Sequence, residues 1–318
     1  MAIQRVIGLL QNAAEPNQLA QWYVDKLGFQ VSCRDSLKGE WTQQLFGDIA
    51  QAGIERVVLE IGDEQIQIWG WPGVKDPTPY PDCWGGNDHW FQHICLVSDD
   101  LQGIYSRLLD QGINPISTQP QCLPEWNSAA AGIWAAKFKD PAGHPLELLQ
   151  FPAGKGDSRW HEQSRNHGLP KGIDHSAISI TDTETSLRFY RDLLGLAVKG
   201  ESLNHGPEQD AMDGLQGTRV AITGIGPGPH RMGVEFLHYI APTGGRDRQH
   251  PNWSDACDRK LLMQADAISA LHERVINSES GSDCSPLVSL PAETFSAPLG
   301  FTVRDPDGHS LLVVGADY

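Results

Sequence analysis

The chain has 318 residues, 40% hydrophobic and 20% charged, which is the balance of a globular protein with room for about two domains. Its formal net charge of −16 lacks the basic surplus that nucleic acid or an anionic membrane demands of a partner. No apolar run approaches the roughly 18–20 residues of a membrane span, and the six cysteines (33, 83, 95, 122, 257 and 284) form no CxxC pair, which argues against a disulfide framework or structural zinc knot.

The opening MAIQRVIGLLQNAAEPNQ turns polar after Leu10, which does not fit a secretory signal, so a cytoplasmic protein is expected. RVIGLL predicts a short strand. Apolar residues at Leu19, Trp22, Tyr23 and Leu27 then recur at helical spacing over 17–27, and Gly28 marks the helix stop. FQVSCR, RVVLEI and QIQIWGW follow as strands, by alternation or β-branched content. The order is β-α-β-β-β. It returns at 91–151, from FQHICLV through DLQGIYSRLLDQG to HPLELLQF. A third round runs over 174–240, from DHSAISI to GVEFLHYI, and a more worn fourth runs from KLLMQAD to HSLLVVG.

Two echoes define a longer period. The turn at Asp140, DPAGH, returns at Asp305 as DPDGH, 165 residues on. WYVDKLGFQV around Tyr23 returns as FYRDLLGLAV around Tyr190, 167 residues on. The chain is therefore two copies of one half. The predicted boundaries are a first domain at 1–155 (units 4–72 and 90–152), a polar, glycine-bearing linker at 156–171, and a second domain at 172–318 (units 172–242 and 259–316).

Four tandem βαβββ units of this kind resemble the vicinal oxygen chelate superfamily, which includes glyoxalase I, extradiol dioxygenases and bleomycin- and fosfomycin-resistance proteins. The residues that carry the resemblance are the DP-x-GH-x-x-E strand, HICLVSDD opening a helix, and DHSAISITDTETSLRFYRDLLGL. It implies an α+β fold of two domains with cupped sheets, and one divalent metal ion (Zn, Ni, Mn, Co or Fe) held by residues on the first and last strands of a unit. Side chains alternate across a strand, so inward positions are apolar unless they bind something. The positions that match are His93 beside Phe91, Cys95 and Val97; Glu147 beside Leu149 and Phe151; His175 on the first strand of unit three; and Glu235 beside Leu237 and Tyr239.

The outer units lack this set. Gly8 falls opposite His175, Gln65 opposite Glu235, Lys260 where His93 would lie and Leu312 where Glu147 would lie. If unit two pairs with three, and one with four, the chain has one complete site and one emptied site. That exchanged pairing resembles glyoxalase I.

Other features carry plainer readings. His144 and His309 sit in the repeated turn, and the emptied half keeps its copy, so both are expected to be structural. GIGPGPH is a hairpin loop without the strand-glycine-helix context of a phosphate cradle. His238 points away from Glu235. Trp84, Trp90 and Trp126 are candidates for a pocket lining or for packing. The long loop 241–258 offers Arg246 and Arg248 to an anionic group.

Imidazole and carboxylate ligands without thiolate suit several divalent metals. The resemblance then implies a glyoxalase I-like lyase or isomerase acting by metal-stabilised enediolate proton transfer on a small carbonyl substrate, with Glu147 or Glu235 as catalytic base. The alternative is a non-haem Fe(II) ring-cleaving, extradiol-type dioxygenase, which needs two histidines and one carboxylate. A further alternative is a ligand-binding or resistance protein without catalysis. In each case the partner is a small molecule, with no nucleic acid or membrane, and the chain is a monomer or homodimer.

Overall fold

The computed structural model describes residues 3–162, 168–247 and 252–317. The fold is α+β and is built on two large mixed sheets. One sheet runs, by strand, Val288–Ser289, Leu299–Arg304, Ser310–Ala316, Lys260–Asp266, Ile3–Asn12, Glu64–Gly70, Ile54–Ile61 and Gln30–Leu37. It joins unit four to unit one. The other runs Ala197–His205, Arg219–Gly226, Gly233–Ala241, Gly172–Ser179, Gln92–Val97, Pro145–Gln150, Trp134–Lys139 and Asn114–Pro115, with Gln121–Cys122 paired to Trp134–Lys139. It joins unit two to unit three. Each sheet thus takes one unit from each half of the chain.

The seam in each sheet is an antiparallel pair of first strands. Gln92–Val97 pairs with Gly172–Ser179, setting His175 opposite Cys95 and Ala177 opposite His93. Ile3–Asn12 pairs with Lys260–Asp266, setting Gly8 opposite Leu262 and Leu10 opposite Lys260. Both seam strands of the site-bearing sheet read as near-continuous buried runs, as strands covered on two faces do.

The outer faces carry the helices. Pro16–Leu27 opens with proline in its first turn and closes on Gly28 in the left-handed conformation. It buries Leu19, Tyr23 and Leu27 of the stripe expected from sequence together with Ala20, while Trp22 is only half-buried. Leu101–Asp110 is capped by Asp100, whose side chain accepts from the Gly103 amide. The convex faces of both sheets share one core, in which Tyr23 and Tyr190 are fully buried and bonded to Asp140 (2.9 Å) and Asp305 (3.0 Å) of the repeated turns. Within those turns His144 Nδ1 lies 2.8 Å from Asp140 and His309 Nε2 lies 2.8 Å from the Ser179 carbonyl oxygen. His144 thus closes its own turn, while His309 ties its turn to the strand Gly172–Ser179. The connector is less loose than its polar composition suggests: Trp160 is buried and donates to Asp174 (2.7 Å), and Arg159 pairs with Glu64 at 2.5 Å.

The two concave faces differ sharply. The unit one/unit four cup is filled by its own apolar cluster, including Phe46, Trp69, Trp71, Leu262 and Leu312. The unit two/unit three cup holds His93, Glu147, His175 and Glu235.

Candidate metal centre

His93 and Glu147 project from neighbouring parallel strands of unit two, in which Cys95 is paired with Glu147. His175 and Glu235 project from the corresponding strands of unit three, where His175 is paired with Gly233 and Ala177 with Glu235. The seam brings both pairs to one place. His93 Nε2 is 3.1 Å from Glu147 Oε2, His175 Nε2 is 3.7 Å from the same oxygen, and His175 Nε2 is 3.3 Å from Glu235 Oε2. One ligand atom from each of His93, Glu147 and His175 falls within 4.8 Å of the others. Glu235 joins this group through His175, on its outer side.

The environments of the four are unequal. The side chains of His93, Glu147 and His175 are nearly inaccessible, whereas that of Glu235 is 30% exposed. Across the sheet from Glu235 stands Gly224, and across from Gly224 stands Gly200, where an added Cβ would meet nothing within 4 Å. The two register positions outward of Glu235 therefore carry no side chain.

Electrostatics follow the same division. Burial lowers the His93 pKa to about 4, against the pull of Glu147, so this imidazole is neutral and able to ligate. Burial would also lower His175, but Glu235, Asp174 and Glu147 outweigh it and push it up to about 9. Burial would raise Glu147, yet His93 and Lys137 hold its carboxyl down to about 2. Burial raises Glu235, with Glu147 and Asp174 adding to the shift against the pull of His175. A cluster of two carboxylates and two imidazoles in so small a volume is a site that a dication would neutralise.

The donor atoms fit a metal. Among the described residues, neither ring nitrogen of His93 has a hydrogen-bond partner, nor does His175 Nε2, although all are buried. Buried polar atoms are ordinarily satisfied, and exceptions need a reason. His175 Nδ1 is 3.0 Å from Asp174 Oδ2, the outer carboxylate contact that leaves the opposite nitrogen of a ligating histidine free to aim inward.

Sequence reasoning missed the residues behind this cluster. Lys137, on the strand beside Glu147 and directly opposite it in register, is buried with its Nζ 3.9 Å from Glu147 Oε1 and 2.6 Å from Asp213 Oδ1. Tyr239 donates to Asp213 at 3.0 Å and Gln209 at 2.8 Å. One signal was available: Lys137 stands in a buried alternating strand where an apolar residue belongs.

The emptied cup repeats the geometry with other side chains. Leu262 is paired with Leu312 as Cys95 is with Glu147, which places Lys260 at the His93 position and Gly8 at that of His175. The counterpart of Glu235 is Gln67 and not Gln65, because Gly8 pairs with Gln65 as His175 pairs with Gly233, and Glu235 lies two residues further on. Matching strand ends across loops of different length misplaced it. Lys260 is wholly buried; its Nζ is 2.7 Å from Asp258 Oδ2 and 5.7–5.9 Å from the ring centroids of Trp69, Trp71 and Trp253.

Of the remaining candidates, Trp84 and Trp90 pack on each other (6.2 Å) and on Tyr80, while Trp126 stands apart, stacked on His205 at 4.1 Å. His238 lies on the opposite face from Glu235, 3.1 Å from the Thr183 hydroxyl. Arg246 is held by Asp88 in a two-point ion pair (2.6 and 3.0 Å) while its side chain stays 53% exposed; Arg248 lies outside the described residues.

Comparison with known proteins places this geometry. A family model described as the Glyoxalase/Bleomycin resistance protein/Dioxygenase superfamily matches residues 7–148 and 172–273. An iron-dependent extradiol dioxygenase from Rhodococcus jostii (strain RHA1) is 30% identical over 110 residues, which is 34% of this chain and 35% of that protein. The match thus spans about a third of the length of that relative. Among solved structures, a single-substitution variant of glyoxalase I from Zea mays superposes with a TM-score of 0.62 at 13% identity, covering 98% of this chain and 92% of that one. A putative dioxygenase from Bacillus subtilis superposes with a TM-score of 0.60 at 11% identity, covering 99% and 86%. At such identities the structural likeness speaks for the fold alone.

Proposed function

The chain belongs to the glyoxalase/bleomycin resistance protein/dioxygenase superfamily, and from that membership and the four converging side chains we propose a metal-dependent enzyme that moves a proton next to the carbonyl of a small substrate. The observation that carries this reading is the difference between the two glutamates. Glu147 is buried, held to a low pKa, and fixed between two imidazoles and a lysine, as a permanent ligand would be. Glu235 is at the exposed edge, has a raised pKa and faces ground floored by glycine, as a base that meets substrate would be.

His93, Glu147, His175 and Glu235 would hold one divalent ion, which would supply Lewis acidity to polarise the substrate carbonyl and stabilise the enediolate. The protein's own part is to keep His93 and His175 oriented, to exclude water behind Glu147, and to present Glu235 to the substrate α-carbon. Glu235 takes the proton there and returns it to the neighbouring carbon.

A second reading has a specific observation in its favour. The tight group is two histidines and one carboxylate, His93, His175 and Glu147, the donor set of non-haem Fe(II) oxygenases, and the relative from Rhodococcus jostii is an iron-dependent extradiol dioxygenase. In that case Glu235 would stay outside the coordination sphere.

Metal analysis of the purified protein beside Glu147→Ala, His175→Ala and Glu235→Gln tests both. The expected result is about one divalent ion per chain, lost in the first two variants. Exchange of solvent deuterium into small α-hydroxy ketones, abolished in Glu235→Gln, supports proton transfer. Iron accompanied by oxygen uptake with catechol, and retained metal in Glu235→Gln, supports the dioxygenase. Absence of metal after metal-replete purification overturns the site.

A further inference from the structure

The two cups permit a comparison within one chain. Lys137 and Thr302 are equivalent, each paired in register with the last-strand residue of its unit, Glu147 and Leu312 respectively. Asp213 and Phe46 are equivalent, each ending a seven-residue helix that is followed by glycine. Tyr239 and Trp71 are equivalent, each four residues beyond the positions of Glu235 and Gln67. In the emptied cup Phe46 packs edge-on against Trp71 (5.8 Å), and Thr302 turns its hydroxyl to the Leu45 carbonyl oxygen (3.1 Å). In the site-bearing cup the same three places hold a lysine, a carboxylate and a phenol joined by hydrogen bonds.

That replacement has no stability rationale. Buried ion pairs seldom outperform apolar residues of similar volume, because desolvation offsets the attraction. The emptied cup shows that this fold closes the same corner with apolar and neutral groups. The charged version stands beside the His/Glu cluster, and its contacts indicate its use. Lys137 Nζ is anchored at 2.6 Å by Asp213 Oδ1, whose other oxygen is held by Tyr239 (3.0 Å) and Gln209 (2.8 Å). From there the ammonium faces Glu147 Oε1 at 3.9 Å, while Glu147 Oε2 faces the imidazoles at 3.1 and 3.7 Å.

We propose that Lys137, fixed by Asp213 and Tyr239, is the positioning residue that divides the two oxygens of Glu147, directing one to the metal and keeping the other away from it. This rests on the metal reading above. Asp213 and Tyr239 come from unit three and Lys137 from unit two, so the network also ties the orientation of a unit-two ligand to correct closure of the seam.

The test is cobalt(II) binding, followed by titration and by the visible spectrum, which reports coordination geometry, with thermal melting of the metal-free protein alongside. The decisive variant is the pair Lys137→Met and Asp213→Leu, which imitates the emptied cup and removes both partners of the 2.6 Å ion pair together. It is expected to remain folded in the thermal melt, to bind cobalt about 10- to 100-fold more weakly, and to show an altered spectrum. Tyr239→Phe, which keeps the ion pair, is expected to shift the spectrum in the same direction by less, and serves if the pair variant does not fold. Thr302→Val, in the other cup, is expected to change neither. Unaltered cobalt affinity and spectrum in the pair variant or in Tyr239→Phe overturns this assignment alone. Wild-type protein that binds no cobalt overturns the metal reading and this assignment with it.

Discussion

Lys260→Met removes a buried ammonium from the emptied cup while keeping an unbranched stem of similar reach. The wild-type ammonium is 2.7 Å from Asp258 Oδ2 and donates to the carbonyl oxygens of Trp253 (2.8 Å) and Asp258 (3.1 Å). Three indoles surround it. Asp258 is itself fully buried, and in the variant it retains the Ser310 hydroxyl (2.6 Å) and the more distant Arg304 (4.0 Å). Removing one partner of a buried pair costs about 3–5 kcal/mol, chiefly from the stranded charge. The remaining contacts of Asp258 put the expected loss at the lower end, about 3 kcal/mol. Urea unfolding followed by tryptophan fluorescence reads it, since Trp69, Trp71 and Trp253 ring the site. Adding Asp258→Leu removes the stranded charge, so the double variant is expected to recover to within about 1 kcal/mol of wild type. Metal content is expected to be unchanged in both. A single variant within about 0.5 kcal/mol of wild type, or a double variant no more stable than the single, would refute the view that an internal cation–carboxylate pair occupies the cup that lost its ligands.

Gly8→Ala is expected to destabilise by about 3 kcal/mol or more in the same assay, because the new Cβ would lie 1.7 Å from the Gln65 carbonyl oxygen. It follows that a histidine at position 8 cannot rebuild the second site, and Gly8→His is expected to bind no added metal. The metal-free protein should lose stability as pH rises from about 6.5 to 9. His175 has its folded pKa raised to about 9, so its contribution is complete below the unfolded value near 6.5 and gone above 9. Glu147, lowered to about 2, contributes fully above its unfolded value and loses that contribution only as pH falls toward 2, well outside this window. Metal-loaded protein, whose imidazoles are held neutral, should be flat over the same range in thermal melts. Leu312→Ala should cost about 2–5 kcal/mol by the cavity it opens in a fully buried cluster, without loss of metal.

Much of this architecture could be derived from the residues alone, because local physics wrote it into short segments. The DP-x-GH turns and the paired Tyr23 and Tyr190 echoes mark the repeat, and the alternation of strands put His93, Glu147, His175 and Glu235 on inward faces. The absence of Glu from position 312 was legible for the same reason: the turn seven residues earlier anchors the register. Gln67 was missed because no such anchor lies near it, and only the pairing of Gly8 with Gln65 sets the count. Lys137, Asp213 and Tyr239 left no joint signature, since they lie on three elements drawn from two units, and each alone reads as an ordinary polar residue. Their association is made by the antiparallel seam between Gln92–Val97 and Gly172–Ser179, a contact between halves of the chain. The caging of Lys260 by Trp69, Trp71 and Trp253 is likewise a product of folding, because it draws on residues almost two hundred positions apart. Sequence determined which side chains face inward, since alternation is local; tertiary structure decided which of them meet, since that depends on the strands that pair across the seam.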